Sequence, residues 1–161
     1  MFSSSSTALK TLWITVLVVL VDHLTKYLAV SYLNFGVPHE VMPYLNWTLV
    51  YNHGAAFSFL ADMGGWQRWF FALLAVAMSA ILLVWLKKLP AGLSVEALGI
   101  NLILGGAVGN LIDRIWSGKV TDFIDFYIGT WHYATFNVAD VAITVGAILL
   151  IVNEFFLKKS A

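Results

Sequence analysis

The chain contains no cysteine and few charged residues. The absence of a thiol anywhere in the 161 residues excludes disulfide bonds, thiolate metal sites and a cysteine nucleophile. Charged residues make up only 11% of the sequence, and nine Lys and Arg balance nine Asp and Glu, so the formal net charge is zero. A chain without a basic excess gives no reason to expect a nucleic-acid partner.

Apolar residues dominate instead. They make up 60% of the sequence, and the mean hydropathy of +0.84 is far above that of a soluble domain. Four apolar segments approach or reach the roughly 20 residues that a helix needs to cross a bilayer; they cover about residues 12–33, 69–86, 93–112 and 138–157. The sequence therefore predicts an α-helical integral membrane protein with four transmembrane helices and a single domain over residues 1–161.

The distribution of basic residues predicts how the chain crosses the membrane. Five lysines fall on one side of a four-span topology, and two arginines and one lysine fall on the other; they are Lys10, Lys87, Lys88, Lys158 and Lys159 against Arg68, Arg114 and Lys119. Because short cytoplasmic segments are enriched in Lys and Arg, both termini are predicted to be cytoplasmic. Residues 34–68 and 113–137 are then predicted to face outward.

The first outward segment carries local structure. Residues 45–51 alternate β-branched and aromatic side chains in a way that is typical of a short strand, so we expect a small sheet on the membrane surface. Residues 57–60 continue as an apolar stretch that predicts a short, half-buried amphipathic helix.

Glycines mark the third helix. Gly105 and Gly109 have the spacing of small residues that lets membrane helices approach closely. Helix packing is the simplest interpretation. Room for a peptide or an acyl chain is the alternative.

Two groups of polar residues fall at helical spacing. Asp22 and Lys26 are four residues apart, which predicts an internal ion pair that shields both charges from lipid, although a direct catalytic role is the alternative. Asn110, Asp113 and Arg114 share the outer end of helix three. Arg114 either holds Asp113 or offers its planar guanidinium to substrate carbonyl or carboxylate groups.

Four acidic residues, Asp113, Asp122, Asp125 and Asp140, fall near the predicted outer surface. Two carboxyl groups brought together repel each other and lose hydration, so one holds a proton while the other stays ionised. That state can activate water and protonate a leaving amine, which predicts hydrolysis of a peptide bond. The pair is either Asp122 with Asp140 across a hairpin or Asp122 with Asp125 locally, and spacing alone does not choose.

Other chemistry has weaker support. No nucleophile motif of the Gly-x-Ser-x-Gly type is present, and none of the four histidines has the spacing of a zinc-binding helix. A metal held mainly by carboxylates is a remaining alternative. A small proton-coupled transporter or channel subunit, using the same acids as a proton relay, is the alternative function.

Five motifs, in order along the chain, resemble those of the lipoprotein signal peptidase family, signal peptidase II, in its proteobacterial form. They are DHLTK (22–26), YNHGAAF (51–57), GGAVGNLIDR (105–114), VTDF (120–123) and FNVAD (136–140). Two positions depart from the family pattern: His23 stands where Gln is usual, and Val141 stands where Ser is common.

The resemblance implies an aspartyl endopeptidase of the bacterial inner membrane, with its active site near the periplasmic face. It would remove signal peptides from diacylglyceryl-modified prolipoproteins, cutting before the lipid-modified cysteine, without a metal or other cofactor. The expected partners are these prolipoproteins and membrane lipid, no nucleic acid is expected, and the chain is expected to be a monomer. The resemblance assigns catalysis to Asp122 and Asp140, substrate binding to Asn52, Gly54, Asn110, Arg114 and Asn137, and structural support to Asp22, Lys26 and Asp113.

Overall fold

The computed structural model describes residues 7–54 and 65–157. It contains four long helices: α1 (Trp13–Tyr32, preceded by a 3-10 turn at Ala8–Leu12), α2 (Trp66–Lys88), α3 (Val95–Ser117) and α4 (Val138–Val152, continued by a π turn at Asn153–Leu157). Each is long and apolar enough to cross a membrane when the terminal turns are included. The four predicted transmembrane helices are therefore confirmed, with ends that differ by a few residues.

Local sequence signals fix the ends of α3 and the start of α4. Ser94 begins α3 by accepting a hydrogen bond from the backbone N–H of Ala97 at 3.0 Å. Gly118 ends α3 in the left-handed conformation at φ 77°, which favours glycine. Helix α3 thus runs to Ser117 and not only to residue 112 as predicted, because no residue before Gly118 breaks it.

A four-stranded antiparallel sheet lies beside the helices, with the strand order β1 (His39–Met42), β2 (Leu45–Asn52), β3 (Val120–Ile128) and β4 (Trp131–His132). Strand β2 confirms the strand predicted at residues 45–51. Strand β3 lies within residues 113–137, where no strand was predicted, and it pairs with β2 over most of its length, from Leu45 opposite Phe126 to Asn52 opposite Val120. The short helix predicted at residues 57–60 lies outside the described residues.

Helix α3 is the centre of the helical bundle, and it packs against α1, α2 and α4. Its glycines allow this packing. A Cβ atom on Gly105 would lie 2.6 Å from the Cβ of Val18 in α1, and one on Gly106 would collide with the backbone carbonyl oxygen of Ala139 in α4. In the described part of the chain these glycines therefore serve helix packing, as the simpler interpretation predicted.

We expect Gly106→Ala to destabilise the protein, because its new methyl group would meet the side chain of Ile143 and also the backbone of α4 at Ala139, which cannot move aside as a side chain can. Overpacking of this kind costs about 1–3 kcal/mol, so the melting temperature in detergent should fall by several degrees. Ile112→Ala, on an exposed apolar side chain of the same helix, is the matched control. Equal melting temperatures for Gly106→Ala and the unsubstituted protein would contradict the close packing of α3 on α4.

Candidate active site

Asp122 and Asp140 lie on the wall of one cavity. Asp122 is the third residue of β3 and Asp140 is the third residue of α4. The cavity has a volume of about 450 Å³, and Asn52, Asn110 and Arg114 also line it. The fold thus brings together two acids that are 18 positions apart in the sequence (140 − 122).

Two asparagine amides join these carboxyl groups. Asn137 Nδ2 donates a hydrogen bond to Asp122 Oδ1 at 2.7 Å, and Asn110 Nδ2 donates one to Asp140 Oδ1 at 2.8 Å. Asn137 Nδ2 also donates to Asn110 Oδ1 at 3.2 Å, which closes the chain between the two acids. Asn137 is completely buried, so it braces the site from behind the cavity.

The first turn of α4 fixes the second acid. Asn137 Oδ1 accepts a hydrogen bond from the backbone N–H of Asp140 at 3.0 Å, and Asp140 Oδ2 accepts one from the backbone N–H of Asn137 at 3.2 Å. This reciprocal arrangement is a capping box, in which each side chain satisfies a backbone N–H that the start of a helix leaves free. Asp140 therefore has one oxygen bound to the helix start and the other bound to Asn110.

A buried lysine, Lys26, contacts three polar side chains close to Asp122 and Asp140. Lys26 Nζ lies 2.8 Å from Asp22 Oδ2, 2.9 Å from Asp113 Oδ2 and 3.0 Å from Asn110 Oδ1. An ammonium group has three N–H donors, so these contacts provide an acceptor for each. The predicted Asp22–Lys26 ion pair is thus present, and Asp113 pairs with Lys26 and not with Arg114.

The two acids paired with Lys26 also hold the backbone next to the cavity. Asp22 Oδ1 accepts a hydrogen bond from the N–H of Ala139 at 2.9 Å, and Asp113 Oδ2 accepts one from the N–H of Thr121 at 3.2 Å. These N–H groups belong to the residues directly before Asp140 and Asp122. Asp22, Lys26 and Asp113 therefore lie next to the backbone that carries Asp140 and Asp122.

Arg114, Asn52 and Gly54 lie together at one side of the cavity. Arg114 Nη2 donates to the carbonyl oxygen of Gly54 at 3.3 Å, and its guanidinium lies 5.3 Å from the ring centre of Phe71. Asn52 Oδ1 accepts a hydrogen bond from the N–H of Gly54 at 2.9 Å. Asn52 and Arg114 line the cavity, and these hydrogen bonds hold Gly54 next to them.

The environment of Asp122 favours its neutral form. Burial raises the pKa of Asp122 to about 7, and the negative charge of Asp140 adds to this increase. Hydrogen bonds from Asn137 and Asn52, together with the positive charge of Lys26, oppose the increase without cancelling it. Asp122 therefore exchanges its proton near neutral pH, as a group that handles protons in a reaction must do.

Asp125 has a different environment. Alternate residues of a strand point to opposite faces, so Asp125 lies on the face of β3 opposite Asp122. Its carboxylate accepts hydrogen bonds from Asn46, Thr48 and His132. Burial raises the pKa of Asp125, but these hydrogen bonds and the His132 charge outweigh it and hold the pKa below its usual value. The geometry therefore favours the pairing of Asp122 with Asp140 over the local pair.

The wall formed by residues 133–136 was not predicted. Tyr133, Ala134, Thr135 and Phe136 line the cavity between β4 and α4. The four residues carry no charged group, and only Phe136 belongs to a motif, as the first residue of FNVAD, so only the position of this segment between the two acids could have suggested the role. Within residues 7–54 and 65–157, no group of three or more His, Asp or Glu side chains is placed to hold a metal ion.

Comparisons with known proteins give one family. The family model described as "Signal peptidase (SPase) II" matches residues 14–156. The chain is 56% identical to a lipoprotein signal peptidase of Hydrogenovibrio crunogenus over 96% of this chain and 90% of the relative. It is 51% identical to the lipoprotein signal peptidase of Acinetobacter baumannii, over 92% of this chain and 84% of the relative.

Solved structures give the same fold. One, described as a bacterial membrane enzyme structure at 2.3 Å resolution, has a TM-score of 0.82 and 32% identity, and the match covers 99% of this chain and 95% of the other. A second bacterial membrane enzyme, solved at 1.9 Å resolution, has a TM-score of 0.78 and 31% identity over 96% and 99% of the two chains. The chain, a multi-pass membrane protease with four spanning helices and a small sheet, belongs to the signal peptidase II family.

Proposed function

We propose that this protein is an aspartyl endopeptidase that removes the signal peptide from diacylglyceryl-modified prolipoproteins. It cuts on the N-terminal side of the lipid-modified cysteine with a water molecule activated by Asp122 and Asp140. The observation that carries the proposal is that these two carboxyl groups line one cavity and are joined through Asn137 and Asn110. The relatives' shared name, lipoprotein signal peptidase, supports the substrate class.

The pair can catalyse hydrolysis in two proton-balanced steps. The ionised carboxylate takes a proton from water as the water oxygen attacks the peptide carbonyl carbon, and the neutral carboxyl group gives its proton to the carbonyl oxygen. The resulting diol collapses when the amide nitrogen receives a proton from the first carboxyl group and the C–N bond breaks. A hydroxyl proton of the diol then restores the second carboxyl group.

Asp122 is the member that we assign as neutral at the start. Its pKa is raised to about 7 by burial and by the charge of Asp140. Asp140 also accepts hydrogen bonds, from Asn110 and from the backbone N–H of Asn137, but it stands in the first turn of α4, where the helix dipole favours a negative charge. Since the two groups interact strongly, they titrate as a unit.

The remaining cavity residues suit a peptide substrate. Arg114 and Asn52 present N–H donors beside the two acids, and Gly54 offers backbone close to them. We assign these residues, with Asn110 and Asn137, to binding or bracing the segment around the scissile bond. Asp22, Lys26 and Asp113 hold the backbone on which the two acids stand.

The same proposal places the protein in its membrane. We propose that both termini lie in the cytoplasm, which the distribution of lysines favours, and that the cavity lies near the periplasmic face of the bacterial inner membrane. The chain acts as a single membrane domain and a monomer, with bilayer lipid around its exposed apolar helix faces. The transporter alternative loses its support, because the family to which the chain belongs is a peptidase family.

Asp122→Asn and Asp140→Asn should each abolish cleavage, because an amide can neither accept the water proton nor supply the carbonyl proton. The measurement is a gel-shift assay of a diacylglyceryl prolipoprotein with purified protein in detergent and a metal chelator present. Asp125→Asn is the matched control, since it is the same substitution on the same strand, and it should retain substantial turnover at saturating substrate. Normal turnover in either dyad variant, or complete loss in Asp125→Asn alone, would refute the assignment.

The rate should depend on pH through the pair. Because one carboxyl group must be neutral, kcat/KM should fall on the alkaline side as Asp122 loses its proton, with an apparent pKa near the value of about 7 at Asp122. Initial rates between pH 5 and 9, on substrate whose charge does not change in that range, test this expectation. A rate that stays constant from pH 6 to pH 9 would show that no group of the catalytic pair titrates there.

Stability should also depend on pH. The raised pKa of Asp122 means that the folded protein holds this proton where the unfolded chain has lost it, so stability decreases as pH rises from about 4 to about 7. Asp122→Asn removes the ionising group. The variant should therefore melt at a higher temperature than the unsubstituted protein at pH 8, and the difference should shrink towards pH 4. A lower melting temperature for the variant at pH 8 would contradict the raised pKa.

A further inference from the structure

The segment Tyr133–Phe136, here called the cavity wall, is held at both ends by backbone hydrogen bonds to β3. The backbone N–H of Tyr133 donates to the carbonyl oxygen of Phe126 at 2.8 Å. At the other end, Phe136 and Ile124 exchange two backbone hydrogen bonds of 3.0 Å and 2.8 Å. All four residues of the wall line the cavity that holds Asp122 and Asp140. The position of the wall thus determines the shape of the cavity.

A side-chain pair fastens the wall from the face of the sheet opposite the cavity. His132, the residue directly before the wall, has its Nδ1 atom 2.8 Å from Asp125 Oδ1. Its ring stacks on Tyr127 with the ring centres 5.5 Å apart. Strand β4 has only two residues, so this side-chain contact adds substantially to a short backbone pairing.

The buried carboxylate of Asp125 accepts hydrogen bonds from side chains on both neighbouring strands, β2 and β4. It is 3% exposed, and its second oxygen, Oδ2, accepts hydrogen bonds from Thr48 Oγ1 at 3.0 Å and Asn46 Nδ2 at 3.3 Å, both on β2. Its pKa lies below the usual value, which keeps it ionised at neutral pH and therefore a strong acceptor for His132. The carboxylate links β2, β3 and the start of the wall.

We propose that Asp125 and His132 are positioning residues that hold the cavity wall in place for the substrate. Asp125 and Asp122 lie on opposite faces of β3, so the pair does not touch the reacting groups. It should therefore affect how tightly the substrate binds and leave the bond-breaking step nearly unchanged. This inference rests on the proposed function, because it takes the cavity as the substrate site.

Steady-state kinetics on the full chain in detergent test the proposal. His132→Ala should raise KM about tenfold, which corresponds to about 1.4 kcal/mol, while kcat stays within about twofold. His132→Asn should restore most of the affinity, because the Asn side-chain amide can reach the position of the His Nδ1 atom. An unchanged KM in His132→Ala, or a loss confined to kcat, would overturn the proposal.

Thr48→Val is the matched control, since it also removes one hydrogen bond to Asp125, but from β2 and not from the wall. It should lower stability without the rise in KM. If Thr48→Val raises KM as much as His132→Ala, the effect is general loosening of the sheet and the proposal is wrong. If His132→Ala fails to fold, His132→Phe takes its place, because it keeps a ring on Tyr127 and removes the contact with Asp125; an unchanged KM in that variant would overturn the proposal.

Hydrogen exchange separates this inference from the proposed function. The amides of Tyr133 and Phe136, which donate to the carbonyl oxygens of Phe126 and Ile124, should exchange faster in His132→Ala than in the unsubstituted protein, and at the usual rate in Asp122→Asn. Unchanged exchange in His132→Ala would overturn the role of the pair even if the enzyme is an aspartyl protease. Conversely, activity in Asp122→Asn together with faster exchange in His132→Ala would refute the catalytic assignment alone.

Discussion

The rest of the site depends on the contacts that the ammonium group of Lys26 makes with Asp22, Asp113 and Asn110. Lys26 is 4% exposed and Asp22 is completely buried, so neither charge has water to stabilise it, and breaking such a pair costs about 3–5 kcal/mol. The contacts of Lys26 reach α1 through Asp22 and α3 through Asp113 and Asn110. Each of the two acids then holds the N–H group directly before one of the proposed catalytic aspartates. One buried cation thereby sets the relative positions of α1, α3, α4 and β3.

This arrangement requires helix backbones that lie very close together. A Cβ atom on Gly109 would stand 2.7 Å from Asp22 Oδ2, and Gly99 and Gly146 face each other so closely that a Cβ on either would lie within 3 Å of the other's carbonyl oxygen. The glycines of α3 and α4 thus let the carboxylate of α1 reach the first turn of α4. Helix packing and site geometry are therefore one constraint, since a larger side chain at Gly109 would displace the ion pair as well as the helix.

The helices could be predicted from the sequence because a membrane span is a local property of composition and length. The Asp22–Lys26 pair could also be predicted, since both residues fall on one helical face. Strand β3 could not, because its pairing with β2 joins segments about 70 residues apart and no short-range signal specifies that partner. The amide chain through Asn137 and Asn110 likewise depends on two helix ends meeting in space. Helical spacing grouped Asn110 with Asp113 and Arg114, whereas only the motif resemblance singled out Asn137.

Asp122 and Asp125 show how one strand can give the same residue type two roles. Both side chains are 3% exposed, so burial alone does not distinguish them. Asp125 receives hydrogen bonds from three side chains and has its pKa lowered, whereas Asp122 faces a second acid and has its pKa raised to about 7. The difference follows from the alternation of the strand, which points one carboxyl group at α4 and the other at donors on β2 and β4. A shift of β3 by a single residue would turn both side chains to the opposite face and remove Asp122 from the cavity, so the proposed catalytic role depends on the register with β2.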